Sequence, residues 1–245
     1  AMTKKSLSEL HSFYLRNGIE VYLGGDFEAT RAIKMLSALP QVSSVDLPLH
    51  FQQIEWARRE YHERAFPDLS QYEYLATTIL GVLSTEESIF GSFLNSALVD
   101  FAAGPLYQWL RHDKQWVYGV HGFTSGIKPM ASIWGLQIDL PDAQHLVQIR
   151  DELGDRLRTF VENDDAIGQA LSRHNKSAAF KLQTIGATLT AAIGLVNDYG
   201  RIYSEREIAA ILDTFREKSV RMSAFEKHWD PSQRGEFLAT PLLGE

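Results

Sequence analysis

The sequence predicts an α+β fold, and three observations lead there. Trp134, Leu136, Ile138 and Leu140 alternate with the residues between them, the period of a strand with one buried face. Ser204 and Glu207 form a capping box ahead of Ile208, Ile211, Leu212 and Phe215, which share one face of a helix at i, i+3, i+4 and i+7. Segments of these two kinds interleave without the regular strand-helix alternation of a doubly wound sheet.

In chain order, Ser6 and Glu9 cap a helix over 6–16 that Asn17-Gly18 ends. Ile19, Val21 and Leu23 alternate with Glu20 and Tyr22 as a short strand. Gly24-Gly25-Asp26 turns the chain, and Asp26 is the expected N-cap of a helix with Ala29, Ile33 and Leu36 on one face. The glycine pair belongs to neither a Walker pattern nor G-x-G-x-x-G, so it is not read as a phosphate loop. Leu39 to Pro48, with prolines at both ends and serines between, marks a boundary. Ile54 and Trp56 then alternate with Gln53 and Glu55, predicting a strand within 51–61. Tyr72, Leu75, Ile79 and Val82 have helical spacing, predicting a helix over 71–83, and Ile89, Phe90, Phe93, Leu94 and Ala97 predict a second.

From Gly104 to Phe123 a short amphipathic helix is expected to end at Arg111, followed by a charged loop and a strand from about Trp116 that carries Tyr118. Helix ends and the loops beside them are where scaffolds present binding groups, which makes Arg111 and Tyr118, seven residues apart, the leading candidates. After the 132–140 strand, Pro141-Asp142 opens a helix lined by Leu146, Ile149, Leu153 and Leu157, and 163–165 is a polar break. One long helix spans about 166–199 and stops at Gly200. A last helix carries Val220, Met222, Phe225 and Trp229, Asp230-Pro231 ends it, and 236–240 closes the chain as a strand.

Composition removes several classes of function. At 44% hydrophobic and 22% charged residues the chain is globular, and no apolar run reaches the roughly 18 residues of a membrane span. The expected protein is soluble, of the cytoplasm or the periplasm. A formal net charge of −7 without a Lys/Arg-dense stretch argues against nucleic acid as a partner. With no cysteine there is no disulfide, thiolate nucleophile or Cys-based zinc site. The eight histidines, at 11, 50, 62, 112, 121, 145, 174 and 228, include no pair three or four residues apart, so a helix-borne zinc pair is absent. No G-x-S-x-G occurs, and Glu86-Glu87 and Asp164-Asp165 read as helix-start or solvated charges rather than acid/base dyads.

Element order supplies the next step. The helix-strand-helix opening SLSELHSFYLRNGIEVYLGGDFEATRAIKMLSALP, the central PLYQWLRHDKQWVYGV and the closing SVRMSAFEKHWDPSQRGEFLATPL together resemble the C-terminal half of pitrilysin-type M16 zinc metallopeptidases, the family of insulin-degrading enzyme. The specific motif is Leu110-Arg111, a charged loop, then Gln115-x-x-Tyr118. The resemblance implies a mixed sheet covered by helices in each of two homologous halves. It also implies zinc held by an inverted H-x-x-E-H helix in the other half, which this sequence lacks, so no metal or other cofactor is expected in this chain. Arg111 and Tyr118 match the family's substrate-holding arginine and tyrosine, and Gln115 fits the substrate-binding pattern between them. Trp116 and Val117 depart from the common form of the loop.

The resemblance implies that residues 1–40 correspond to the end of the preceding half, 41–50 to a linker, and 51–245 to the C-terminal type of domain. The strand at 19–23 would then lack its parent sheet and is expected to pair with another copy of the chain or with its own domain. The implied function is the non-zinc-binding half or subunit of a zinc metalloendopeptidase, inactive alone, whose partners are a zinc-bearing half and a peptide substrate. The alternative is a non-catalytic module of the same fold, serving assembly or peptide binding.

Overall fold

The computed structural model describes residues 21–38, 61–81, 83–127, 131–181, 184–199, 201–230 and 233–242. In chain order the elements are α1 (Ala29–Ser37), β1 (Tyr61–Phe66), β2 (Tyr72–Leu80), α2 (Thr85–Val99), α3 (Pro105–Tyr107) running into a π-helical turn (Gln108–Asp113), β3 (Gly119–Ile127), β4 (Ala131–Leu140), α4 (Leu146–Glu162), α5 (Asp164–Lys181), α6 (Ile185–Tyr199), α7 (Glu205–Thr214), α8 (Lys218–His228) and β5 (Arg234–Pro241). Among the described residues no helix is long and apolar enough to cross a membrane.

The chain divides into two compact units, Ala1–Gln52 with Lys181–Ile202 and Gln53–Phe180 with Tyr203–Glu245. In the first, α1 starts after Glu28 rather than after Asp26, and Ile33 and Met35 are exposed. Residues 21–23 run without strand pairing, and 19–20 lie outside the described residues, as do the expected 6–16 helix and the 41–50 linker.

Among the described residues the second unit is built on a five-stranded mixed sheet of order β1-β5-β2-β4-β3, in which β1 and β5 pair in parallel and the other described pairs are antiparallel. Tyr72 to Leu80 is the element the sequence reading placed in a helix, and it is a central strand paired on both sides. Tyr74, Ala76, Thr78 and Leu80 are buried while the residues between them are half-buried. Leu75 and Ile79 belong to the less buried face, so apolar residues on both faces of the strand mimicked a helical period. The expected 51–61 strand falls almost wholly outside the described residues. Within them, β1 begins at Tyr61.

Tyr74, Ala76, Trp134, Leu136, Ile138 and Leu238 form the buried sheet face, with α2 against β3 and β4. The Ser84–Glu87 capping box starts α2 as its spacing demands. Trp134 Nε1 donates to Gly91 O on α2 at 3.1 Å, and Phe90 stacks on Phe215 at 4.4 Å. Gly91 has no room for a side chain, because a Cβ there would stand 2.5 Å from His228 Nε2. On the same face Glu236 is paired with Arg150 at 2.5 Å and Arg234 at 3.0 Å, and burial and that carboxylate push the Tyr74 phenol well above the ordinary tyrosine range.

The expected single helix over 166–199 is two helices, and Asn163 is a junction rather than a loop. Asn163 closes α4, and its Oδ1 accepts the Ala166 N–H of α5 at 3.0 Å. Arg221, one turn into α8, is 0% exposed and serves this junction. Its Nε donates to Val161 O and its Nη1 to Arg216 O, each at 2.6 Å, its Nη2 to Glu162 O at 3.3 Å, and it pairs with the Asp164 carboxylate. One guanidinium thus satisfies the last carbonyls of α4, the carbonyl beyond α7 and the first turn of α5.

Removing Arg221 would take the shared donor from the carbonyls of Val161, Glu162 and Arg216, the first of them in a buried bond. Arg221→Ala is expected to lower the unfolding free energy by about 3 kcal/mol or more. The Asp164 side chain is 76% exposed, so Asp164→Asn should cost no more than about 1 kcal/mol. Urea unfolding of the two variants checks that ranking.

His228 is fully buried, and burial lowers its pKa below the ordinary 6.5. The unfolded chain therefore takes up this proton at higher pH than the folded one, so stability is lost as pH falls through about 6.5 and the slope ends below the folded pKa. Urea midpoints between about pH 8 and about pH 5 test this. His228→Gln should flatten the decline, and an unaltered slope removes His228 as its source.

Candidate functional site

Pro105 opens α3 at a position where its missing N–H is no loss. Leu106, Trp109 and Leu110 are buried and anchor the segment, leaving Arg111, His112 and Asp113 facing outward. The wide turn over Gln108–Asp113 is closed by Lys114 N donating to Trp109 O, five residues back, at 3.0 Å. Such π turns are rare and occur disproportionately at functional sites. Trp116 N then donates to Leu110 O at 3.0 Å, and Gln115 between them has φ 56°, a left-handed conformation that reverses the chain.

The boundaries differ from those the sequence predicts. The helical segment continues past Arg111 to Asp113, and β3 begins at Gly119, so Tyr118 immediately precedes the strand rather than sitting inside it. Tyr118 is 55% exposed, and its N–H donates to Asp139 O on β4 at 2.7 Å. Arg111 Nη1 donates to Val117 O at 2.8 Å, which brings the guanidinium to the peptide group that leads into Tyr118. Arg111 and Tyr118 are therefore joined through one backbone unit. Gln115 sits at the exposed tip of the loop, where its observed contribution is the backbone reversal.

Aromatic packing fixes the base of the loop. Trp116 stacks on His145 at 4.5 Å with an 11° interplanar angle, and Lys114 lies over the Trp116 ring at 5.1 Å. Trp109 meets Trp116 edge-on at 6.4 Å and carries Arg156 over its own ring at 4.9 Å. Stacked and cation–π contacts of this kind are each worth about 0.5–1.5 kcal/mol. Trp116 and Val117, the departures from the family's usual loop, are thus a ring stacked between α4 and the loop and a fully buried anchor.

A second polar group lies beside Tyr118, and sequence reasoning missed it. His121 Nε2 is 3.1 Å from Asp139 Oδ2, and Gln137 Nε2 donates to Asp139 Oδ1 at 3.0 Å. Gly119 pairs with Asp139 across the β3–β4 ladder, and a Cβ at 119 would come within 2.9 Å of His121 Nε2 and 3.1 Å of Asp139 Oδ2. The one sequence signal was an aspartate inside a strand, a place that disfavours it. Among the described residues no three His, Asp or Glu side chains converge to hold a metal ion, so these residues do not fit the family's zinc.

The family model described as the peptidase M16 inactive domain matches residues 2–170. Comparison by sequence with curated proteins gives no significant match. A protease from Helicobacter pylori superposes with a TM-score of 0.75 at 11% identity, over 98% of this chain and 59% of that one. A peptidase M16 inactive domain from Pseudomonas fluorescens gives 0.65 at 17% identity, over 99% and 59%. A chain of Complex III2 from Candida albicans gives 0.67 at 13% identity, over 89% and 54%. At these identities the superpositions establish the fold, and the chain spans about three fifths of the first two relatives. With the family model matched over more than half of its length, the chain belongs to the peptidase M16 family, as a half of the inactive, non-zinc-binding type.

Proposed function

We propose that this chain is the non-zinc-binding half or subunit of an M16-type zinc metalloendopeptidase, binding peptide and completing an active site whose zinc is carried by a separate H-x-x-E-H-bearing half. The observation that supports it is the Arg111–Val117 hydrogen bond, which ties the arginine head to the backbone entering Tyr118 on one exposed loop. Metal and nucleophile come from the partner. This chain contributes donors: Arg111 has a planar fork of N–H groups beyond the one given to Val117, and Tyr118 has one phenolic O–H. Aimed at the carbonyl oxygen of a bound peptide, they hold it and favour negative charge building there, the work of an oxyanion site. Gln115, exposed at the loop tip, is assigned to the substrate side of the same site.

A second reading is a non-catalytic assembly or peptide-binding module, which the similarity to a chain of Complex III2 favours. In that reading the Arg111–Val117 bond serves only to stiffen the loop.

The two readings part on reconstitution. The chain alone is expected to bind no stoichiometric zinc by elemental analysis and to leave unfolded β-casein intact. Mixed with its zinc-bearing partner it should support cleavage. Arg111→Ala and Tyr118→Phe should each lower kcat by about 10²–10³-fold with unfolding midpoints unchanged. Full turnover in both variants would return Arg111 and Tyr118 to a structural role.

A further inference from the structure

Resting on the peptide-binding reading above, we propose that His121 is a further substrate-contacting residue, whose Nδ1 accepts a hydrogen bond from a peptide N–H, and that Asp139 is the residue that positions it. The Asp139 side chain is only 12% exposed, whereas the His121 side chain is 61% exposed. Burying a carboxylate is unfavourable unless donors meet it, and here two side chains do, from His121 and Gln137. An exposed imidazole needs no such partner. The arrangement therefore costs solvation at Asp139 and fixes orientation at His121.

Orientation decides the chemistry. A carboxylate only accepts, so the ring nitrogen facing Asp139, Nε2, carries the hydrogen, and the neutral ring keeps its lone pair on Nδ1. Gly119, bare beside the pair, leaves the space that a side chain would take from both groups. Asp139 also sets Tyr118, because its carbonyl receives the Tyr118 N–H at 2.7 Å. One residue of β4 thus places the candidate tyrosine through its backbone and the imidazole through its side chain. Both lie at the beginning of β3, an edge of the described sheet and the side from which an extended chain has access. The ligand this fits is an extended peptide presenting a backbone N–H, or a side-chain donor such as a hydroxyl or ammonium group.

Two substitutions separate contact from mere stitching of β3 to β4. Glutamine at 121 reaches with its amide to where Nε2 stands and keeps the Asp139 bond. Asparagine reaches to where Nδ1 stands and keeps the outward acceptor. In the complex with the zinc-bearing partner, β-casein cleavage by His121→Gln should show KM raised severalfold to about tenfold with kcat within about twofold, and His121→Asn should lie nearer the native value. A structural role inverts that order and overturns the proposal. Nitrogen NMR of the native chain, at a pH where the ring is neutral, should show the hydrogen on Nε2, and Asp139→Asn should mix the tautomers and raise KM likewise. A native Nδ1–H tautomer would also overturn it.

β-Casein added to the chain without partner should shift the His121 ring resonances, so the test holds even where the complex cleaves nothing. Resonances unmoved at saturating β-casein count against His121. Raised KM in His121→Gln together with full kcat in Arg111→Ala and Tyr118→Phe would sink the arginine–tyrosine assignment and leave His121 standing.

Discussion

A single buried guanidinium underlies the geometry of the candidate site, although it is not part of it. Arg221 gathers the end of α4, the start of α5 and the chain beyond α7. α4 runs from there for 17 residues, roughly 25 Å, with His145 at its other end. His145 stacks on Trp116, and Arg156 within the helix covers Trp109. α4 is thus a strut, fixed by Arg221 at one end and bearing on the Arg111–Tyr118 loop at the other. The exposed Asp164 carboxylate contributes little to that fixation, since water screens it, whereas the bond from Arg221 Nε to Val161 O is buried.

Much of this architecture was legible in the sequence, and the failures share physical causes. Elements with one apolar face and a capping signal were read correctly: the Ser204–Glu207 box opens α7, and the 132–140 alternation is β4. Tyr72 to Leu80 was misread because Leu75 and Ile79 make its second face half apolar, and a strand apolar on both sides has no clear period. Arg221 was invisible for another reason. An arginine in a helix between Val220 and Met222 reads as solvated, and only the convergence of three other segments makes it a buried donor.

The site divides in the same way. Arg111 and Tyr118 are seven residues apart in one short motif, so a local sequence pattern could nominate them, and the Val117 carbonyl joins them within that stretch. His121 and Asp139 are separated by 18 residues and meet only because β3 and β4 pair with Gly119 opposite Asp139. Register across a sheet is set by packing on its buried face, here by Val120 and Ile138, and is not written in either strand alone.

The wide turn at Gln108–Asp113 holds one more residue per hydrogen-bonded ring than an α-helix would. Each residue of an ordinary helix turns its side chain by about 100° from the last. Trimming the segment by a single residue would let it relax to a regular helix, with Trp109 and Leu110 still held in the core and everything after them swung a quarter-turn or so round the axis. The direction in which Arg111 and the residues after it face therefore depends on how many residues the turn holds, and an insertion or deletion there is a harsher change than most substitutions.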